Sequence, residues 1–125
     1  MHAPLVVLGG GPGGYAAAFM AADLGMEVTL VEKDTRLGGT CLLRGCIPSK
    51  ALLHVGRVVA EVREMQDWGV HFSAPKIDID AVRSRKEKVI GDLTGGLAQL
   101  AKRRNVQIVQ GQAIFTASNA IEVIQ

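Results

Sequence analysis

Leu5-Val6-Val7-Leu8-Gly9-Gly10-Gly11-Pro12-Gly13-Gly14 runs from a short apolar stretch directly into five glycines within six positions. Four consecutive apolar residues that stop at glycine read as a buried parallel strand. Tyr15 to Leu24 is rich in alanine and bounded by Gly14 and Gly25, which predicts a helix. Glu27-Val28-Thr29-Leu30-Val31-Glu32 is the second strand. Strand, glycine turn, helix and strand in about 30 residues make one βαβ unit, whose crossover is right-handed in nearly all proteins.

Gly9, Gly11 and Gly14 have the spacing G-x-G-x-x-G. Each has its own physical reason. Gly9 lets the strand turn tightly, Gly11 lacks a Cβ so that a pyrophosphate can approach, and Gly14 lets the helix pack close to the strand. The first amides of the helix and its positive dipole end then face an anion. Glu32 closes the second strand 18 residues after Gly14. A carboxylate there can accept hydrogen bonds from both ribose hydroxyls of an adenosine and would repel a 2′-phosphate. The competing reading is a glycine-rich structural turn beside a surface glutamate. Strand, helix and acid all agree with a dinucleotide site, but the motif alone does not choose NAD over FAD. The fold class is therefore α/β, a Rossmann-like dinucleotide domain.

The remaining chain fills in part of such a domain. Residues 33–49 read as a loop, with Gly38, Gly39, Gly45 and Pro48. Apolar positions recur at helical spacing from about Ser49 to Asp67, and again from Ile79 to Arg104, with Gly95-Gly96 as a weak point. Val106–Val109 and Ile121–Ile124 are short β-like runs around turn residues Gly111 and Ser118-Asn119. One βαβ unit, two long helices and short strands make about half of a doubly wound domain, so further strands are expected downstream.

Composition excludes several classes. The chain has 125 residues, 48% of them hydrophobic, enough for one domain with its own core. A net charge of +2 and an aromatic share of 4% argue against nucleic acid as a partner. The apolar start lacks a basic flank and is broken by Gly9–Gly14, so no targeting or membrane segment is expected, and the expected location is the cytoplasm. Seven basic residues against two acidic ones between 83 and 104 read chiefly as a solvated helix face, with an acidic protein partner as the alternative. Trp68 reads as a core or interface filler.

Cys41 and Cys46 lie in Gly38-Gly39-Thr40-Cys41-Leu42-Leu43-Arg44-Gly45-Cys46-Ile47-Pro48-Ser49-Lys50. Three readings compete: a zinc site, two structural thiols, or a redox dithiol. Zinc needs four ligands, or three and a water, and His2, His54 and His71 have no ligand spacing to the cysteines, so no metal is expected. Five residues of ideal helix rise about 7.5 Å, beyond the usual Cα separation of a disulfide, so a bridge requires a non-ideal turn. Gly45 permits one, and Pro48 suits a helix start. A thiolate at a helix start, with Lys50 one turn beyond Cys46, would be stabilised. A redox pair directly after a dinucleotide site favours FAD, because a flavin accepts hydride and also reacts with thiolates.

These residues resemble the N-terminal part of the flavin disulfide oxidoreductases, whose motif GGxCxxxGCxPSK is present in full. Within that family, Leu93-Thr94-Gly95-Gly96-Leu97 is most similar to the dihydrolipoamide dehydrogenase branch. The resemblance covers essentially the whole chain. It implies an FAD-binding domain over residues 1–125, with the NAD-binding and dimerisation domains outside it. Cys41 would be the interchange thiol and Cys46 the thiolate against the flavin, joined as a redox disulfide, with Lys50 near the flavin. The cofactor site would comprise Gly9, Gly11, Pro12, Gly13, Gly14, Glu32, Lys33, Gly38, Gly39, Thr40, Cys41, Lys50 and the backbone of Ala113. Electrons would pass from dihydrolipoamide, carried on lipoyl domains of a 2-oxoacid dehydrogenase complex, through FAD to NAD⁺ in a homodimer. A His–Glu base pair of the family lies outside this chain, which alone would be inactive. Leu43 stands where the motif usually has asparagine, followed by Arg44, and Ala113 stands where glycine is frequent. A mercuric or glutathione-type reductase, or a non-catalytic dinucleotide-binding module, are the rival readings.

Overall fold

The computed structural model describes residues 2–125. Strand β1 (Leu5–Leu8) leads into helix α1 (Pro12–Asp23) and strand β2 (Val28–Glu32). Two helices follow, α2 (Gly39–Leu43) and α3 (Cys46–Glu64), then a 3₁₀ turn over Met65–Trp68. Helix α4 (Ile79–Arg103) precedes strands β3 (Gln107–Gln110), β4 (Gln112–Ala117) and β5 (Ala120–Ile124).

The apolar runs pair as their composition requires. β2 lies between β1 and β3, parallel to both, with Leu5 opposite Val28 and Thr29 opposite Gln107. The order 3-2-1 is half of a doubly wound sheet, as expected. All five β2 residues are buried, the polar Thr29 and Glu32 along with Val28, Leu30 and Val31, as a central parallel strand requires. On one face, Ala18 of α1, Ala101 of α4, Val28, Leu30 and Val106 form the core, with Leu37 closing it. Burying Leu30 completely contributes about 1.5–3 kcal/mol. Arg104 fastens the end of α4 to α1: its Nε lies 2.9 Å from Asp23 Oδ1, and its guanidinium sits 5.2 Å from the centre of the Phe19 ring.

Several boundaries differ from expectation for identifiable reasons. α1 starts at Pro12, because proline has no N–H to satisfy and a φ suited to the first helical position. Residues 39–43 and 46–48 are helical rather than looped, since helix spacing is invisible in a five-residue segment flanked by glycines. α4 runs unbroken through Gly95-Gly96. Two glycines cost about 1 kcal/mol each; Asp78 offsets part of this by capping the helix, its carboxylate accepting the N–H groups of Asp80 and Ala81. Strand β4 is unpredicted, and it pairs only with β5 in an antiparallel ribbon. Trp68 is 79% exposed, which removes its core reading. Of the seven basic residues between 83 and 104, Arg83, Lys86, Lys88 and Arg104 are paired with acidic residues of the chain, Arg83 and Lys88 on the exposed face and Arg104 against α1. Among the described residues no helix is long and apolar enough to cross a membrane.

The sharpest steric constraint is at Gly14. A Cβ there would run into the carbonyl oxygen of Gly9, whereas a Cβ at Gly13 meets open space. Gly14→Ala is expected to lower unfolding stability by about 1–3 kcal/mol in urea titrations, while Gly13→Ala is neutral or stabilising by up to about 1 kcal/mol.

Candidate functional site

Glu32 ends the central strand, and its side chain reaches the glycine loop. Oε2 accepts the Gly10 N–H at 2.5 Å and Oε1 accepts the Asp34 N–H at 2.8 Å. The residue is only 6% exposed. Sequence reasoning reserved this carboxylate for ribose hydroxyls; the structure gives both oxygens a backbone partner first. Each oxygen keeps a further lone pair for a ligand.

The loop itself is built for an anion. Gly11 caps α1 without a side-chain hydrogen bond, and the first turn of the helix holds no acidic residue of its own. Gly39 has φ +60°, and a Cβ on it would come within 2.6 Å of the Gly11 Cα. The Gly38 N–H donates to the Gly10 carbonyl at 2.8 Å. The second glycine cluster therefore lies backbone against backbone on the first.

A cavity of about 590 Å³ opens beside these contacts. Of the expected residues, Gly9, Glu32, Lys33, Gly39, Thr40 and Ala113 line it. Ala113 arrives there because the Gly111 N–H donates to the Glu32 carbonyl at 2.9 Å, which folds β4 back over the end of β2. Gly11, Pro12, Gly13, Gly14 and Gly38 are not on its wall; they shape the loop beside it. Cys41 and Lys50 do not line it either. Lys50 is exposed and shares a shallow depression on α3 with His54.

The cysteines are free thiols, Cys41 half-buried and Cys46 exposed. No disulfide joins them here, but Cys46 lies close enough to act on the Cys41 thiol. Their approach comes from the break at Arg44 and Gly45 between α2 and α3, the non-ideal turn that the glycine predicted. The hydrogen bond that the protonated Cys41 thiol donates to the Cys46 side chain is the first cause that raises the Cys41 pKa above 9.0, followed by burial; the Cys46 backbone N–H and then the charge of Lys50 oppose it. Lys50 therefore acts electrostatically on Cys41, whereas sequence spacing set it against Cys46.

Two residues of the site escaped sequence reasoning. Arg44 grips Asp34 with two prongs, Nη1 to Oδ2 at 2.9 Å and Nη2 to Oδ1 at 2.5 Å, and both residues line the cavity. Opposite charges ten residues apart across a glycine-rich segment have no periodic signature, so only the fold reveals the pair.

Residues 3–123 match the pyridine nucleotide-disulphide oxidoreductases. The chain belongs to this family. It is 55% identical over 123 residues to a dihydrolipoyl dehydrogenase of Vibrio cholerae, covering 98% of this chain and 26% of that protein. It is 54% identical over 117 residues to a dihydrolipoyl dehydrogenase of Haemophilus influenzae, covering 94% and 24%. A mitochondrial dihydrolipoyl dehydrogenase of Dictyostelium discoideum is 45% identical over 120 residues, covering 95% and 25%. The chain thus spans about a quarter of the length of the curated relatives it matches. Within this family membership, the glycine loop and acidic strand end belong to one Rossmann-like half-sheet, and the thiol pair to the two helices that follow it.

Two outcomes test this geometry. Glu32→Gln replaces one acceptor oxygen with an NH₂ group facing a backbone donor, and is expected to cost about 1–3 kcal/mol of unfolding stability. In the reduced protein, Cys41 should alkylate with a pH midpoint above that of an ordinary thiol. Cys46→Ala removes the main cause and should bring the midpoint down, as iodoacetamide rates against pH will show. The sign follows from linkage: a thiol whose folded pKa is raised favours the folded state while protonated and loses that contribution as pH rises through the raised value.

Proposed function

We propose that this chain is the FAD-binding, disulfide-bearing part of a dihydrolipoyl dehydrogenase, with the NAD-binding and dimerisation domains supplied by the rest of the protein. The observation that carries the reading is continuity. The stretch from Glu32 to Cys46 begins as the acidic wall of a glycine-lined cavity and ends at two adjacent thiols.

The residues fit the cofactor's chemistry. The cavity has an acidic residue at the strand end, and the loop beside it is too crowded for side chains at Gly14 and Gly39. Glu32 and Lys33 would hold the adenosine end, with the Ala113 backbone beside the base. The amides at the start of α1 would hold the pyrophosphate, with Gly39 and Thr40 along its course. FAD held there would supply a two-electron relay between the dithiol and NAD⁺.

The sulfur chemistry belongs to the chain itself. In the oxidised pair, a thiolate of dihydrolipoamide attacks the Cys41 sulfur, breaking the Cys41–Cys46 bond and releasing the Cys46 thiolate. The second substrate thiolate then displaces Cys41. Lipoamide leaves with its ring disulfide formed, and two electrons remain on the cysteines. Cys41 is the half-buried member and Cys46 the exposed one, so access in this chain does not select Cys41 as the attacked sulfur, and its role as the interchange thiol rests on the family motif. The substrate would arrive on lipoyl domains of a 2-oxoacid dehydrogenase complex.

The test is NAD⁺ reduction by dihydrolipoamide with the full-length protein. Wild-type protein is expected to turn over, and Cys41→Ser and Cys46→Ser each to lose activity at least about a thousandfold, as for an essential nucleophile. Reduction of oxidised glutathione or Hg²⁺ by NADPH, with no dihydrolipoamide activity, would overturn the assignment.

A further inference from the structure

Arg44 opens the two-residue non-helical break between the two cysteines, and Asp34 sits two residues beyond the central strand. Their two-pronged contact is joined to the nucleotide loop by an unbroken series of hydrogen bonds. Asp34 donates its N–H to Glu32, and Glu32 accepts the N–H of Gly10. On the other side, the Arg44 N–H donates to the Thr40 carbonyl at 2.9 Å, closing the end of α2 just after Cys41. Arg44 is half-exposed and Asp34 less so, and both stand on the cavity wall.

We propose that the Arg44–Asp34 pair is a positioning clasp, which fixes the turn between Cys41 and Cys46 to the nucleotide cavity and thereby holds the two sulfurs at bonding range. This deepens the redox reading of the site and rests on it. The physical argument is one of effective concentration. Two thiols five residues apart close a disulfide in proportion to how often the turn presents them together. A guanidinium fork with a fixed planar geometry restricts that turn, which a single flexible ammonium cannot do equally well. Gly45 follows Arg44 directly, and a glycine restricts the turn less than any other residue would, which leaves a restraint from outside the turn something to do.

The clasp predicts a pattern of signs that simple electrostatics does not. Removing Arg44 takes a positive charge away from the thiols, while neutralising Asp34 leaves that charge unopposed. A purely electrostatic influence would move the thiols in opposite directions. A clasp moves them in the same direction, because either change releases the turn.

The experiment equilibrates the full-length protein, with and without FAD, in glutathione redox buffers and reads the Cys41–Cys46 disulfide by thiol trapping. The exchange is balanced: the S–S bond of oxidised glutathione breaks, the Cys41–Cys46 bond forms, and two glutathione thiols leave with the two protons. Arg44→Met and Asp34→Asn are each expected to shift the equilibrium toward the dithiol by about 2- to 5-fold, the range of a partly exposed ion pair. Combining them should add nothing further. Arg44→Lys keeps the charge without the fork and should shift the same way. The charge swap Arg44→Asp with Asp34→Arg should recover at least half of the loss. Opposite shifts for the two single variants, additive effects, or no shift would overturn the clasp while leaving the redox reading intact. Failure of the wild-type pair to form any disulfide would instead overturn the redox reading itself.

Discussion

A buried carboxylate at the end of a central parallel strand holds this structure's functional end together. Glu32 has its backbone in the sheet, its carbonyl on the Gly111 amide, and its side chain between the amides of Gly10 and Asp34. A hydrogen bond to an ionised acceptor contributes about 1.5–3 kcal/mol, and leaving such a group unpaired in a buried position costs as much or more. The glycine loop, the start of the segment that carries the cysteines, and the hairpin β4–β5 are therefore all referenced to one residue. None of the three has a large apolar core of its own, so the polar anchor decides where they sit.

That arrangement explains how one cavity comes to lie near two thiols. The loop after β1 and the loop after β2 meet at Gly11 and Gly39 with no side chain between them. Their contact shapes a hollow on one side and starts α2 on the other. α2 then lasts only five residues before Arg44 and Gly45 interrupt it, and the interruption brings Cys46 back to Cys41. Nucleotide cradle and dithiol are consecutive products of the same short path, so binding and redox chemistry on this half-sheet have a common mechanical base.

The rest of the molecule supports that end with little burial. α3 has no fully buried residue and rests on α4 and α2, and the apolar side chains of Leu53, Trp68 and Phe72 are exposed. The deep core lies instead under α1 and the end of α4, where alanines at positions 18 and 101 admit both helices close to β2. The buried cluster therefore stands behind the glycine loop, where small displacements would matter most to a bound anion.

Local chemistry made much of this legible. The strand–glycine–helix–strand unit follows from Leu5–Leu8, the glycine spacing and Glu32, because each element needs only its own residues and near neighbours to declare itself. The same holds for α4, whose long apolar stripe outweighs Gly95 and Gly96, and for the break at Gly45 that allows two cysteines to meet. Residues brought together by the fold could not be read this way. The double use of the Glu32 carboxylate, the fork between Arg44 and Asp34, the seating of Ala113 in the cavity, and the placement of Lys50 outside it all depend on how separate segments are set against each other. A linear chain records backbone preference and spacing within a turn or two. Contacts between distant segments are chosen by packing and by the need to satisfy every buried polar group at once, and only the folded chain solves that problem.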